Sequence, residues 1–284
     1  MSSKKPVRIK PAATSKVFRC WKLNDWQFSP APTGVVIEKE FAIFINAERL
    51  ATASVTPGFE REFAVGYLFG QGFIEKIKEI QSLEIEDNAA RVTLKDNSKA
   101  LTGTGSTNYR IVSGGGRSAY SEVTRFRKIK SDLKISKEDI FRAMNALFKN
   151  AELYGETEGV HAAGLFTAKA SPICLVEDIG RHNTLDKVIG YALLNKIDCS
   201  KTFLVSTGRM ASEMVTKICR CGIPVVATKT AVTGKGLEIG KNSGLTIIGF
   251  VRDTGTKIHT DMYVRIIKEA GMKIYSGAER ILCE

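Results

Sequence analysis

The chain has 284 residues, 43% of them hydrophobic and 25% charged, with a formal net charge of +12. That is enough for one large domain or two modest ones, and no apolar run reaches the roughly 18 residues of a membrane-spanning helix. Six cysteines, none spaced C-x-x-C, are too sparse for a disulfide scaffold and point to a reducing cytoplasm.

Residues 1–30 are basic, carry Pro6 and Pro11 and lack the apolar stretch of a secretory signal, so a flexible lead-in is expected. Val35, Ile37, Phe41, Ile43 and Ile45 alternate around charged Glu38, Lys39 and Glu40, which predicts a hairpin. After the turn signal Thr56-Pro57-Gly58, the spacing of Phe63, Ala64, Tyr67 and Leu68 predicts a helix over 60–69. Alternation returns at Leu83 and Ile85 and at Val92 and Leu94. A glycine-rich stretch then runs through Gly103, Gly105 and Gly114-Gly115-Gly116 without a phosphate-loop pattern. Residues 31–132 thus read as an α+β portion presenting a glycine-rich loop.

Ser136 is placed to cap a helix whose apolar stripe is Ile140, Met144, Leu147, Phe148 and Ala151, with Glu138 and Asp139 favouring its N-terminal dipole. Strands are predicted over 172–177, 202–206, 223–228 and 245–250. Helices are predicted between them over 183–196, 209–221 and 236–242. This alternation in residues 133–284 predicts an α/β domain built from parallel βαβ units, and its continuous apolar strands predict a sheet covered on both faces.

In such a sheet ligands bind beyond the carboxyl ends of the strands. Three segments fall there: Glu177 to Asn183, Ser206 to Arg209, and Phe250-Val251-Arg252-Asp253-Thr254-Gly255. Each brings an arginine (Arg181, Arg209, Arg252), and two lead into helices, a pattern suited to phosphates. Gly208 lets the backbone approach closely, and Asp178 and His182 are expected to order the first loop. For His161 and His182 a catalytic role and a loop-ordering hydrogen bond are both open. The Cys219-Arg220-Cys221 triplet is read first as two thiols packed at a helix end. The zinc-hydrolase, zinc-deaminase and serine-nucleophile signatures are all missing. The residues alone therefore define a nucleotide- or phosphate-binding α/β protein. Nucleic acid is an alternative partner for so basic a chain, although no recognition motif accompanies the charge.

Several of these segments resemble the FdhD family of formate dehydrogenase accessory sulfurtransferases. The likeness is carried by Glu177-Asp178-Ile179-Gly180-Arg181-His182-Asn183, by Ser206-Thr207-Gly208-Arg209-Met210-Ala211-Ser212-Glu213 and by Gly159-Val160-His161-Ala162-Ala163. Leu245 to Phe250 and the stretch from Thr56-Pro57-Gly58 to Gly72-Phe73-Ile74 extend it.

The resemblance implies a cytidine-deaminase-like layered α/β domain without zinc, with a smaller α+β portion before it, in a cytoplasmic homodimer. It implies sulfur taken from a cysteine desulfurase and passed to the molybdenum or tungsten cofactor that carries two pterin guanine dinucleotides. The sulfurated cofactor then serves formate dehydrogenase. Phe250, Val251, Arg252, Asp253, Thr254 and Gly255 would contact that cofactor, which GDP-like nucleotides would mimic. Asp178, Arg181, His182, Ser206, Gly208, Arg209 and His161 would complete the binding site. No metal site and no membrane association are expected. At the family's persulfide cysteine this chain has Ser113, and Gly116 replaces a second cysteine. A serine hydroxyl cannot form a persulfide. Three readings stay open: sulfur carried by Cys219 or Cys221, cofactor binding without sulfur transfer, or a diverged paralogue with another anionic ligand.

Overall fold

A computed structural model describes residues 14–96, 109–111, 128–253, 257–259, 264–266 and 270–282. Ser113, Thr254, Gly255 and most of the glycine-rich stretch lie outside these residues. The fold is mixed α/β, with six α-helices among the described residues.

The first two strands, β1 (Ser15–Asn24) and β2 (Gln27–Val36), form a long antiparallel hairpin where a flexible lead-in is expected through residue 30. Next, β3 (Lys39–Ile45) pairs with β4 (Glu48–Val55). The hairpin expected around Glu38–Glu40 therefore turns later, at Asn46 and Ala47, both with positive φ. Helix α1 (Glu60–Gln71) follows, then β5 (Ile80–Glu86), β6 (Ala89–Leu94) and β7 (Tyr109–Ile111). These strands make a five-stranded sheet of order β5-β6-β3-β4-β7.

In the second half, short β8 (Ile135–Ser136) leads into α2 (Lys137–Asn150). The Ser136 hydroxyl accepts the Asp139 N–H as anticipated, and the buried stripe is Ile140, Ala143, Met144 and Leu147. The remaining elements are α3 (Glu152–Thr157), β9 (His161–Thr167), β10 (Pro172–Asp178), α4 (Arg181–Leu194), β11 (Thr202–Ser206), α5 (Ser212–Cys221), β12 (Val225–Thr228), α6 (Gly234–Ser243) and β13 (Thr246–Arg252). They are followed by β14 (Lys257–His259), β15 (Val264–Ile266), β16 (Gly271–Ser276) and β17 (Ile281–Leu282).

The central sheet has the order β10-β9-β11-β12-β13-β16. Only β11, β12 and β13 are parallel neighbours; β9 runs against both β10 and β11, and β16 against β13. The expected parallel core is thus flanked by antiparallel strands. Two consecutive antiparallel pairings leave β10 pointing the same way as β11, so β10, β11, β12 and β13 all end at one edge, where β9 begins. At this edge His161 lies opposite Asp178, and Ser206 lies between Ala163 and Thr228.

Side chains alternate between two cores, as the two-residue period of a strand requires. Ala163, Leu165, Leu204, Val226 and Ile247 face the core shared with α1, α4, α5 and the five-stranded sheet. Ala162, Phe166, Phe203, Val205, Val225 and Ile248 face α2. Burial on both faces explains why these strands read as unbroken apolar runs.

The two halves join where α1 crosses α4. A Cβ on Gly66 would lie 1.8 Å from the Asp186 carbonyl oxygen, and one on Gly190 would lie 1.8 Å from the Glu62 carbonyl oxygen. Backbone meets backbone in both directions, so only glycine fits either position. Gly66→Ala or Gly190→Ala is expected to force the helices apart and destabilise the fold by about 3 kcal/mol or more, measured by denaturant unfolding.

Candidate functional site

Asp178, at the end of β10, anchors the loop that follows it. Its carboxylate is fully buried and lies 2.6 Å from Lys187 Nζ, on the second turn of α4. One oxygen also accepts the Thr56 N–H at 3.1 Å; the other accepts the Gly180 N–H at 3.0 Å and Asn183 Nδ2 at 2.8 Å. Lys187 Nζ donates to the Thr56 carbonyl at 2.8 Å, and the Thr56 hydroxyl accepts the Ile179 N–H at 3.1 Å. This network ties the end of β4 to the start of α4 and fixes the backbone from which Arg181 and His182 project. Asp178 therefore works from beneath the edge, and its carboxylate does not face solvent.

A second buried pair lies alongside. Lys217 of α5 places Nζ 2.6 Å from both Asp186 carboxylate oxygens. His182 sits near it, with Nδ1 3.7 Å from a Glu213 oxygen. Burial first, then the positive charges of Lys217 and Arg181 and the neighbouring His161, push the His182 pKa down to about 3. The imidazole is thus neutral at physiological pH. Below the ordinary value near 6.5 the unfolded chain takes up a proton that the folded chain refuses. The stability contributed by neutral His182 is therefore intact above about pH 6.5 and lost as pH falls toward 3, at up to about 1.4 kcal/mol per pH unit. His182→Gln should flatten that part of the stability–pH curve, read by denaturant unfolding from pH 7 to pH 4.

Arg181 opens α4 and packs against the loop after β11. A Cβ on Gly208 would lie 2.8 Å from Arg181 Cβ, so glycine allows this approach. The buried Arg181 Nε has no hydrogen-bond partner among the described residues. Burial and then the nearby Arg209 guanidinium lower the Arg181 pKa, against a partial pull from Glu213. Arg209 is exposed. It precedes α5, which begins at Ser212 and not at residue 209 as the periodicity suggests. Two guanidiniums close enough to repel each other at one sheet edge suit an anion that would neutralise both.

The rest of the edge is built from hydroxyls. Ser206 is buried, and its Oγ accepts the Gly208 N–H at 3.0 Å. Thr228 donates to the Gly208 carbonyl at 2.8 Å. Thr207 Oγ1 accepts the Ala162 N–H at 3.0 Å and lies 3.3 Å from His161 Nδ1. Burial and Arg181 lower the His161 pKa, while Asp178 raises it. His161, Thr207, Lys229, Thr230 and Tyr154 line an open cleft of about 390 Å³.

Beyond β12, the chain bulges at the end of β13. Phe250 takes φ +53°, and its N–H donates to the Thr230 carbonyl at 3.0 Å. Its half-buried ring is flanked by the Arg252 guanidinium at 5.3 Å and Lys273 Nζ at 5.0 Å. Val251 is buried, and Asp253 accepts Asn145 Nδ2 at 2.6 Å. With strands about 4.8 Å apart, the edge from β10 to β13 is roughly 20 Å long. Arg181 and Arg209 stand toward one end and Arg252 at the other.

Sequence reasoning placed Asp178, Arg181, His182, Ser206, Gly208, Arg209 and Arg252 on one edge, and the structure puts them there; His161, which only the family resemblance had added to the site, joins them because β9 begins at that edge opposite Asp178. Sequence reasoning missed Lys187, Asn183, Thr56, Asp186 and Lys217. Asp186 and Lys187 interrupt the apolar pattern of a helix that proves buried all round, a signal that such charges must be paired.

The described cysteines are elsewhere. Cys174 and Cys219 are buried, which raises both thiol pKa values, that of Cys219 to about 11. Cys221, at the end of α5, donates to Cys199 with the sulfurs 3.3 Å apart. Cys199 precedes β11, so this pair lies at the opposite edge of the sheet from Arg209. Among the described residues no cluster of three or more His, Cys, Asp or Glu side chains could hold a metal ion.

The chain is similar to known proteins over most of its length. The family model described as FdhD/NarQ matches residues 36–282. A protein of Sulfolobus acidocaldarius named sulfur carrier protein FdhD is 31% identical over 242 residues, covering 84% of this chain and 94% of that one. The protein of the same name from Methanothermobacter thermautotrophicus is 32% identical, covering 81% and 90%. A crystal structure described as a putative formate dehydrogenase accessory protein from Desulfotalea psychrophila superposes with a TM-score of 0.74 at 24% identity, over 95% of this chain and all of that one. The chain belongs to the FdhD/NarQ family.

Proposed function

We propose that this chain is a cytoplasmic accessory protein for formate dehydrogenase maturation. Its cargo would be the molybdenum or tungsten cofactor with two pterin guanine dinucleotides, and its reaction the sulfuration of that cofactor with sulfur from a cysteine desulfurase. The observation that carries the binding half of this reading is the basic edge itself: Arg181 with an unused buried donor, Arg209 beside it, and Arg252 at the far end. Arginines set apart along one sheet edge suit a ligand that carries more than one phosphate. The chemistry of the residues fits such a cargo, since arginine forks and a close glycine are what phosphate oxygens require. A second copy of the chain and the client formate dehydrogenase are the partners the reading expects.

One observation favours a narrower reading, in which the protein binds and delivers the cofactor without carrying sulfur. By the family resemblance Ser113 stands where the persulfide cysteine is expected, and Cys199 and Cys221 lie at the sheet edge away from the arginines. The deciding experiment incubates the protein with a cysteine desulfurase and cysteine, blocks free thiols, and locates bound sulfur by mass spectrometry. Sulfur on one cysteine names the carrier. Its absence from all six retires sulfur transfer and leaves cofactor binding as the function.

A further inference from the structure

We propose that the β1–β2 hairpin is a membrane-docking element that inserts its tip into an anionic lipid surface.

Cross-strand pairing puts Val17, Arg19, Trp21 and Leu23 on one face with their partners Gly34, Pro32, Pro30 and Phe28. Apart from Arg19 and Gly34, this face is apolar, yet Val17 and Trp21 are each 66% exposed, Leu23 50% and Phe28 71%. At the tip, Trp26 is 93% exposed. Asp25 and Trp26 both have positive φ, the conformation that suits Asn-Gly and strains a bulky residue. Trp26 therefore occupies the turn at a steric cost, with its side chain almost wholly in solvent. A two-stranded hairpin is at best marginally stable alone, and an apolar patch of this kind marks an interaction surface. Its base is tethered where the Ser15 hydroxyl donates to Glu156 at 2.7 Å.

Charge selects the occupant. Residues 1–36 contain seven basic side chains and one acidic one: Lys4, Lys5, Arg8 and Lys10 ahead of the hairpin, Lys16, Arg19 and Lys22 within it, and Asp25 at the turn. The order from tip to base is Asp25 and Trp26, then Leu23 and Phe28, then Lys22 on the opposite face, then Trp21, then Arg19 and Lys16. Aromatic and aliphatic groups would enter the acyl boundary while the cations stay at the headgroups, each worth about 1 kcal/mol near an anionic leaflet. Nucleic acid would use aromatic faces for stacking but has no use for Val17, Leu23 and two prolines. Pro30 and Pro32 lack the N–H groups that pairing with a further strand requires, which disfavours assembly through the outer edge of β2. No helix among the described residues is long and apolar enough to cross a membrane, so contact would be peripheral.

Trp21 and Trp26 are the only tryptophans in the chain. Tryptophan emission, excited beyond the tyrosine absorption band, therefore reports on the hairpin alone. The full chain is titrated with phosphatidylcholine vesicles carrying phosphatidylglycerol at about a third of the lipid, and with pure phosphatidylcholine vesicles. A blue shift and co-sedimentation with the anionic vesicles only, reduced at least tenfold by salt and by Phe28→Ser with Leu23→Ser, are expected. Three results would overturn the proposal: no shift with anionic vesicles, equal binding to neutral ones, or a lipid-free shift that grows with protein concentration. The last would assign the face to a second copy of the chain. Unchanged far-ultraviolet circular dichroism and melting would show that the double variant remains folded.

Discussion

Replacing Lys187 with methionine is expected to lower the unfolding free energy by about 3–5 kcal/mol, measured by urea or guanidinium unfolding. The lysine and Asp178 are both almost completely buried, at 1% and 0% side-chain exposure. Without the ammonium, the Asp178 carboxylate keeps its bonds from Thr56, Gly180 and Asn183 but loses the one full charge that offsets its desolvation. The Thr56 carbonyl loses its donor at the same time. Pairing Lys187→Met with Asp178→Asn should recover a substantial part of the loss, because the orphaned charge is gone. A double-mutant cycle showing less than about 0.5 kcal/mol of coupling would mean that solvent reaches the pair. The same substitution tests the link from packing to function. If the network positions Arg181, Lys187→Met should weaken nucleotide binding at temperatures where the variant is still folded.

The order and kind of β10 to β13 and of the helices between them were legible because those strands are largely buried on both faces, and α2 and α5 each carry one apolar stripe. Thr202–Ser206 was read to the residue, since apolar neighbours fill both cores there. The carboxyl-edge site followed, because a glycine or arginine after such a strand has few other places to go. Antiparallel β9 was not read as a strand, because His161-Ala162-Ala163-Gly164 carries small residues that fit strand or loop equally well. The hairpin β1–β2 was hidden for a different reason. Its apolar residues alternate, but nothing among the described residues covers them, and a basic proline-containing context reads as a tail. The α1–α4 crossing was invisible as a contact, although glycine in the middle of two helices, Gly66 and Gly190, is the mark that such a crossing leaves. Buried ion pairs escaped because periodicity describes apolar residues and says nothing about which charges meet.

Arg181→Met is expected to separate binding from stability, lowering guanine-nucleotide affinity by roughly 10- to 100-fold while leaving the melting temperature unchanged or slightly raised. The binding loss follows from a charge-assisted contact worth about 1.5–3 kcal/mol. The stability result follows from the free protein. There Arg181 is disfavoured as a cation by burial and by Arg209, and its Nε lacks a partner among the described residues. Removing it relieves a cost that only an anion offsets, the usual signature of a binding residue held at the expense of the fold. Arg209→Ala should weaken binding less than additively with Arg181→Met, because the two guanidiniums share one neighbourhood. Arg252→Ala should combine additively with either, standing roughly 10 Å or more away along the sheet edge. GDP titrated by calorimetry is the probe, with melting of each variant recorded in the same buffer. Unchanged GDP affinity in the Arg181→Ala, Arg252→Ala double variant would place the nucleotide site elsewhere. A melting temperature that drops with affinity in Arg181→Met would make the arginine a structural group, and the basic edge a product of packing.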